Sequence, residues 1–321
     1  MIAILGSGFG LYGYLPALVE GCKQRVVLPE AYRARFDERL ELARFAGDVQ
    51  WERDKAAAIN SADGVVLALR PGDQKDWVPR CLALTNIERL LLEKPLATSP
   101  RVGKALLGDL THSFKTVRLG YTFRYTGWGK RLLDALSVTR ETRALSVQWN
   151  FLAHHLVHDL RNWKRSHVAG GGAIRFYGIQ LIALLAEIGY RDVGVSLSFG
   201  PSADEVEKWT ASFAGPGLPE CDIVINTKVA ASSFRVELLS DSDNKPNAVF
   251  TNQSDPFAST DEPSSSRGGG LDRRLSVLTP LCCSLWTQTT DEYEWYEATI
   301  ELWRCVEEKT HFEPVELGGR S

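Results

Sequence analysis

Lys94 lies in the segment Leu90-Leu91-Leu92-Glu93-Lys94-Pro95-Leu96-Ala97, where a charged pair directly follows an apolar run. A lysine that has lost part of its hydration at a strand end can donate a proton to a substrate oxygen or imine nitrogen, or polarise it. Glu93 is its local electrostatic partner and Pro95 stiffens the turn that aims it; a plain surface ion pair would leave the same residues. A second group suits anion binding. Gly6-Ser7-Gly8-Phe9-Gly10 follows the apolar Ile2-Ala3-Ile4-Leu5 and leads into Leu11-Tyr12-Gly13-Tyr14-Leu15-Pro16-Ala17-Leu18. A pyrophosphate needs backbone N–H groups at a helix N-terminus, and glycine lets the main chain come close to it. The strict G-x-G-x-x-G pattern would put its third glycine at Leu11; here Gly10 comes one residue early and Gly13 two late. A third group is the segment from Phe151 to His167, with four of the six histidines: His154, His155, His158 and His167. His155 and His158 are candidate acids, and His158-Asp159 can orient one another. A plain surface or loop-structural role and a metal held by His154, His155 and His158 are weighed against this, and no metal is assigned.

The elements that must position these residues read as follows. Apolar strand segments are Ile2–Leu5, Arg25–Leu28, Gly64–Leu69, Arg89–Leu92 and Thr116–Gly120, with helical stretches at Arg33–Phe45, Ala56–Asn60, Asp76–Leu84 and Ser99–Leu107. This alternation predicts an α/β domain with a parallel, doubly wound sheet, whose ligands sit at the carboxyl ends of the strands. The residues after each strand are therefore the candidates. After the second strand come Glu30, Arg33 and Arg35; an acid there suits the ribose hydroxyls of NAD, an arginine the 2′-phosphate of NADP, and the segment offers both. Glu30 also reads as a solvent-facing charge. After the third comes Leu69-Arg70-Pro71-Gly72-Asp73, a short turn against the cofactor in which Pro71 ends the strand.

From residue 121 on, strands at Ala144–Phe151, Val193–Phe199, Glu207–Ala214, Cys221–Val229 and Phe234–Leu239 with one crossing helix, Gly172–Ile188, predict an α+β domain with an open, mainly antiparallel sheet. The division is thus 1–120 and 121–321. The polar stretch 253–270 reads as a surface loop, with a lid over the substrate as the alternative, and Asp291–Trp303 as an amphipathic helix. With 321 residues and 44% hydrophobic content, two cores are within reach. A net charge of −3 and no long basic run argue against nucleic acid as a partner, and no run of about 18 apolar residues suggests a membrane span. The strand that opens at residue 2 leaves no expected leader; the adjacent Cys282-Cys283 reads as reduced thiols, so a cytoplasmic location is expected.

The order of glycine turn, Leu-Pro-Ala-Leu helix and Glu93-Lys94-Pro95 resembles the Gfo/Idh/MocA (glucose–fructose oxidoreductase / inositol dehydrogenase) family. Leu119-Gly120-Tyr121-Thr122-Phe123-Arg124-Tyr125 resembles that family's strand leaving the nucleotide domain, and Gly170-Gly171-Gly172-Ala173-Ile174 with Gly178 its active-site helix. The resemblance covers essentially the whole chain. It implies a Rossmann domain, a nicotinamide cofactor, sugar or cyclitol substrates and a homo-oligomer, dimer or tetramer. By position, Gly6, Gly8 and Phe9, with Gly10 beside them, approach the pyrophosphate, Glu93 and Lys94 border the cofactor, and Lys94 is the catalytic or substrate-orienting lysine. Trp163-Lys164 resembles the family's Trp-Arg pair in the loop over the substrate. The family's common pattern has an aspartate four residues after the triple glycine and a histidine four further on; this chain has Phe176 and Gln180 there. A glutamine has no usable pKa for a general base. Tyr177 is a further possible proton donor, Arg175 either a ligand for an anionic group or a structural pair, and Arg124 either a substrate contact or a salt bridge. A reductase needs an acid but not the missing base. The expectation is an NAD(P)-dependent oxidoreductase that reduces a carbonyl or imine of a small carbohydrate-like substrate with Lys94 as proton donor. The alternative is a non-catalytic nucleotide-binding sensor or scaffold of the same fold.

Overall fold

The computed structural model describes residues 1–113, 115–138, 142–240, 246–258, 270–287 and 292–315. They form two compact units. The first comprises Met1–Ala97, Lys104–Thr126 and Phe257–Tyr293, the second Thr98–Gly103, Gly127–Pro256 and Glu294–Ser321. Where the sequence suggested one boundary near residue 120, the chain instead returns to its first unit before it ends. Arg118 is one reason for the return. Although on a strand, it is buried, and its guanidinium donates to the carbonyls of Ser284 and Thr287, at 2.9 and 3.0 Å, which ties the late segment to the early sheet.

In the first unit, β1 (Ile2–Leu5), β2 (Val26–Pro29), β3 (Val49–Glu52), β4 (Gly64–Leu67), β5 (Arg89–Leu92) and β6 (Thr116–Leu119) make a parallel sheet in the order β3-β2-β1-β4-β5-β6. β1, β2 and β4 are buried at every residue, as apolar runs sandwiched between helices must be. β3 was not foreseen. Its Val-Gln-Trp-Glu sequence is only half buried at the sheet edge, so it lacks the apolar signature. The predicted helix Arg33–Phe45 is α1 (Arg33–Asp37) followed by 3₁₀ turns over Leu40–Asp48. α2 (Lys55–Asn60) is capped by Asp54, whose carboxylate accepts from the Ala57 N–H at 2.8 Å. α3 (Pro71–Leu82) starts five residues earlier than predicted because Pro71 takes the first helical position, where its missing N–H costs nothing. α4 spans Pro100–Thr111.

The second unit has a seven-stranded sheet in the order β12-β11-β7-β10-β9-β8-β13, from β7 (Thr142–Leu152), β8 (Asp192–Gly200), β9 (Lys208–Ala214), β10 (Glu220–Asn226), β11 (Lys228–Ser240), β12 (Pro246–Gln253) and β13 (Thr310–Pro314). The pairings are antiparallel except β7 with β10 and β8 with β13, which makes the sheet mixed. The run read as one strand, Cys221–Val229, is broken at Thr227, which is bonded through both its N–H and its hydroxyl to the Glu207 carbonyl. The helices are α5 (Gly127–Val138), the one-turn α6 (His154–Val157), α7 (Ile179–Ile188), preceded by a π-helical turn over Ala173–Gly178, and α9 (Glu292–Lys309). α7 is buried continuously from Ile179 to Ala186, the core helix of this unit. Of the predicted loop 253–270, residues 259–269 lie outside the described residues, as does Asp291 of the predicted last helix. Among the described residues no helix is long and apolar enough to cross a membrane.

α8 (Leu275–Cys283), in the first unit, corrects one expectation. Cys283 is joined by a disulfide to Cys22, 261 positions away in sequence and with Cα atoms 5.4 Å apart, while its neighbour Cys282 is a buried free thiol. Adjacent helical residues point about 100° apart, so the pair could not share one environment, and a partner so distant leaves no spacing signal. These cysteines therefore give no sign of a reducing compartment. Denatured, unreduced protein is expected to titrate four thiols. Cys283→Ser is expected to lower stability by about 2–4 kcal/mol in chemical denaturation. Six titrating thiols without reductant would refute the bridge.

Candidate functional site

The first unit places the glycine turn at the carboxyl end of β1, between β2 and β4, where the strand order reverses and doubly wound sheets bind ligands. Gly6 adopts φ +144°, a region that L side chains avoid, and a Cβ there would collide with the Ala68 carbonyl oxygen. Its N–H donates to the buried Tyr32 hydroxyl at 3.1 Å. Gly8 opens onto free space: a Cβ would meet nothing within 4 Å, leaving a bare backbone approach beside the helix start. The helix then runs as π-helical turns, Gly10–Tyr14 and Ala17–Gly21, on either side of Pro16, which has no N–H for the ladder. Gly10 is buried, and a Cβ there would press on Ile4 at 2.7 Å. Phe9 is not a bare approach point. Its ring packs edge-on against Tyr12 and Tyr14, with the Arg274 guanidinium 4.2 Å from its centroid. These residues fit a dinucleotide pyrophosphate at Gly8 and the helix start. Gly6→Ala is expected to cost at least about 3 kcal/mol in denaturant unfolding, from backbone strain and the clash together; a wild-type melting curve would contradict this geometry.

Glu30 follows β2 and is held by Arg33 in a two-pronged ion pair, at 2.5 and 3.1 Å, with Arg33 stacked 4.3 Å over Trp51. Leu69 is half-buried and Arg70 exposed after β4. The Arg70 carbonyl caps the first turn of α3, accepting from the Asp73 and Gln74 N–H groups at 2.9 and 3.2 Å.

The Glu93-Lys94-Pro95 segment leaves β5 and is clamped from two sides. Tyr14, from the helix after the glycine turn, donates its hydroxyl to Glu93 Oε2 in a very short bond. Burial lifts the Glu93 carboxyl, while Lys94, the Tyr14 bond and Arg274 act against that rise. Burial and the Glu93 charge push the Tyr14 phenol well up, so it stays the donor. From the other side Gln74, fully buried, donates Nε2 to the carbonyls of Glu93 at 2.8 Å and Pro95 at 2.9 Å. The peptide bond between Lys94 and Pro95 is cis. Sequence reasoning missed Gln74 and Tyr14. The available signal for Gln74 was Pro71, which starts a helix and sets Gln74 in its first turn at the sheet's carboxyl edge. Arg124, expected either at substrate or in a salt bridge, is bonded to Glu292 at 3.0 Å.

In the second unit the histidine segment divides. His155 is buried and lies over Tyr177, ring centroids 6.4 Å apart. Burial, reinforced by the charges of Lys164, Arg165 and His154, brings its pKa down to about 4, so it is neutral at physiological pH and not the acid that was expected. His158 is exposed and packs on His154 at 4.4 Å. The two stand four residues apart, the spacing of a two-histidine face that the sequence reading overlooked. Among the described residues, no group of three or more His, Cys, Asp or Glu side chains is disposed to hold a metal. Asp159 does not hold His158: it accepts from Arg165 at 2.8 Å.

Tyr177 belongs to an aromatic wall. It meets Phe151 at 4.8 Å, Phe176 at 4.7 Å and Trp149 at 5.6 Å, while Phe176 meets Trp163 at 5.3 Å and the Lys164 ammonium at 5.2 Å. Burial raises the Tyr177 phenol far above its usual range, a poor proton donor at neutral pH. Gln180 is buried on the first turn of α7. Arg175, expected either at an anionic substrate group or in a structural pair, is in the pair: Nε and Nη2 hold Glu307 at 2.7 and 2.9 Å, and Nη1 donates to the carbonyls of Thr98 and His167 at 2.7 and 2.9 Å.

No family model matches the chain, and no curated protein does either. Solved structures do. GenD2 from gentamicin A biosynthesis, crystallised with NAD, is 15% identical, with a TM-score of 0.73 over 96% of this chain and 93% of that one. KijD10, a 3-ketoreductase from Actinomadura kijaniata in complex with NADP and TDP-benzene, is 12% identical with a TM-score of 0.71 over 98% of both chains. A myo-inositol dehydrogenase from Corynebacterium glutamicum is 13% identical with a TM-score of 0.67 over 96% of each. At such identities the likeness is one of architecture: this chain carries the fold of the Gfo/Idh/MocA-type oxidoreductases.

Proposed function

We propose that this protein is an NAD(P)-dependent oxidoreductase that reduces a carbonyl or imine carbon of a small carbohydrate-like substrate. The observation that carries the proposal is the lysine at the end of β5, fixed by Tyr14–Glu93 on one side and Gln74 on the other, in the same unit as a glycine turn with an open approach at Gly8. Structural neighbours crystallised with NAD and with NADP support it.

The turn at Gly6–Gly10 holds the pyrophosphate through backbone N–H groups and the helix dipole. When bound, the nicotinamide supplies the hydride. Lys94 Nζ donates a proton to the oxygen or nitrogen that gains charge as its carbon is reduced. Gln74 and Glu93 fix the backbone that carries Lys94. Reduction is favoured over alcohol oxidation because Phe176 and Gln180 take no proton and His155 is only a weak base. A homo-oligomer belongs to the same proposal, on the neighbours' fold alone.

The test is oxidation of NADH and NADPH by the purified protein across a panel of keto sugars, keto forms of sugar nucleotides and cyclic imines. Turnover with any of them supports the enzyme. Nucleotide binding without turnover on the whole panel would favour the second reading, a nucleotide-binding sensor, for which Phe176 and Gln180 speak.

A further inference from the structure

We infer that the adenosine end of the cofactor site selects NADP(H), with Arg35 and Ser7 as the seat of the 2′-phosphate; the inference rests on the NAD(P) reading above. Two features carry it. The first is Glu30, the residue at the end of β2 whose carboxylate would accept both ribose hydroxyls of NAD. Both its oxygens are taken by the fork of Arg33, at 2.5 and 3.1 Å, and Arg33 is itself pinned by stacking 4.3 Å over Trp51. The pair fills one acceptor site on each oxygen and leaves Glu30 half exposed, so what it chiefly removes is the carboxylate's uncompensated charge. Left as it is, its negative charge is offset, and a phosphate dianion nearby meets no net repulsion from it.

The second feature is Arg35. Its Nη1 donates to Ser7 Oγ at 3.2 Å, which brings a full positive charge to the phosphate-binding turn between Gly6 and Gly8. Among the described residues this is its one polar contact, with a neutral hydroxyl and no carboxylate. A guanidinium so placed keeps most of its donors available, and its planar fork matches a phosphate. Ser7 adds a hydroxyl that can donate to the same anion. A cation that reaches from the segment after β2 to the turn after β1 lies where the 2′-substituent of a dinucleotide is read. Nothing in this arrangement rewards a free 2′-hydroxyl to the same degree.

Titration calorimetry of the full-length protein with NADPH, NADH, 2′,5′-ADP and 5′-AMP tests this without any substrate. NADPH is expected to bind at least about tenfold more tightly than NADH, and 2′,5′-ADP more tightly than 5′-AMP, because only the phosphorylated ligands can accept charge-assisted hydrogen bonds from Arg35 at the 2′ position. Arg35→Ala, with an unchanged circular dichroism spectrum, is expected to erase that preference by weakening NADPH while NADH stays within about twofold. Equal affinities, a preference for NADH, or an Arg35→Ala variant that weakens both nucleotides alike would overturn the assignment. If the folded protein binds none of the four, the cofactor reading itself fails and takes this inference with it. Binding of both dinucleotides without preference overturns only the inference.

Discussion

Lys94→Ala is expected to lower kcat for carbonyl or imine reduction by about 10²–10⁴-fold, the usual worth of a positioned general acid. Dinucleotide affinity should stay within about threefold, because the phosphates are held by the glycine turn and not by this side chain. The two readouts are expected to separate. Lys94 lies in a segment anchored by Gln74 and Glu93 through backbone carbonyls and a carboxylate that the substitution leaves in place, so the clamp should survive it. Lys94→Arg keeps the charge but, with a guanidinium that does not release its proton, should recover little turnover. An alanine variant with full activity would remove Lys94 from the chemistry. One that also lost cofactor binding would make the lysine a binding or folding residue instead.

Gln74→Leu bears on the same question from the other side. Its Nε2 ties the Glu93 and Pro95 carbonyls to α3, and leucine of similar volume would leave the buried Pro95 carbonyl and the partly buried Glu93 carbonyl without this donor. This residue also marks where sequence reasoning stopped. The parallel sheet was legible because β1 and β4 are unbroken apolar runs and β5 closes on Leu90-Leu91-Leu92, and the glycine turn because its chemistry is backbone chemistry. Glu93-Lys94 was legible because charge behind a buried strand is anomalous. Gln74 was not: a glutamine on a polar helix turn looks like solvent surface until the fold closes over it. For Arg124 and Arg175 a ligand contact and a structural ion pair were both open, and the structure shows ion pairs for each. An arginine in a promising place looks free in a sequence, whereas Glu292 and Glu307, each more than a hundred positions away, had already claimed them. His155 erred for a related reason, since a pKa depends on burial that only the packed aromatic wall supplies.

The Glu307 cluster gives a second such long-range pair an expected effect on stability. Glu307 accepts from Arg175 through both oxygens, from His167 Nε2 at 3.0 Å and from Trp303 Nε1 at 2.9 Å, all within the second unit. Burial by itself would raise its pKa, but the bonds from Arg175 and His167 overcome it and hold the carboxyl at about 2. Glu307→Gln is therefore expected to destabilise the protein by about 3 kcal/mol, because it leaves the Arg175 guanidinium mostly buried without its counter-charge. The sign with pH follows from the depressed pKa. The stabilisation is complete above the ordinary carboxylate value of 4.5 and is lost as pH falls towards about 2. His155 acts at milder acidity: with a folded pKa of about 4 against 6.5, its contribution is present above 6.5 and fades as pH drops to about 4. Urea denaturation from pH 7 to pH 3 should thus show wild-type stability falling in two overlapping stages. Glu307→Gln should start lower and lose less below pH 4.5, while keeping the earlier stage. If the variant and the wild type ran parallel to the lowest pH, Glu307 would not be the group whose titration sets the acid limb. Replacing the pair together, Arg175→Met with Glu307→Leu, should recover much of the loss, since what the single variant suffers is chiefly an orphaned charge and not a missing attraction.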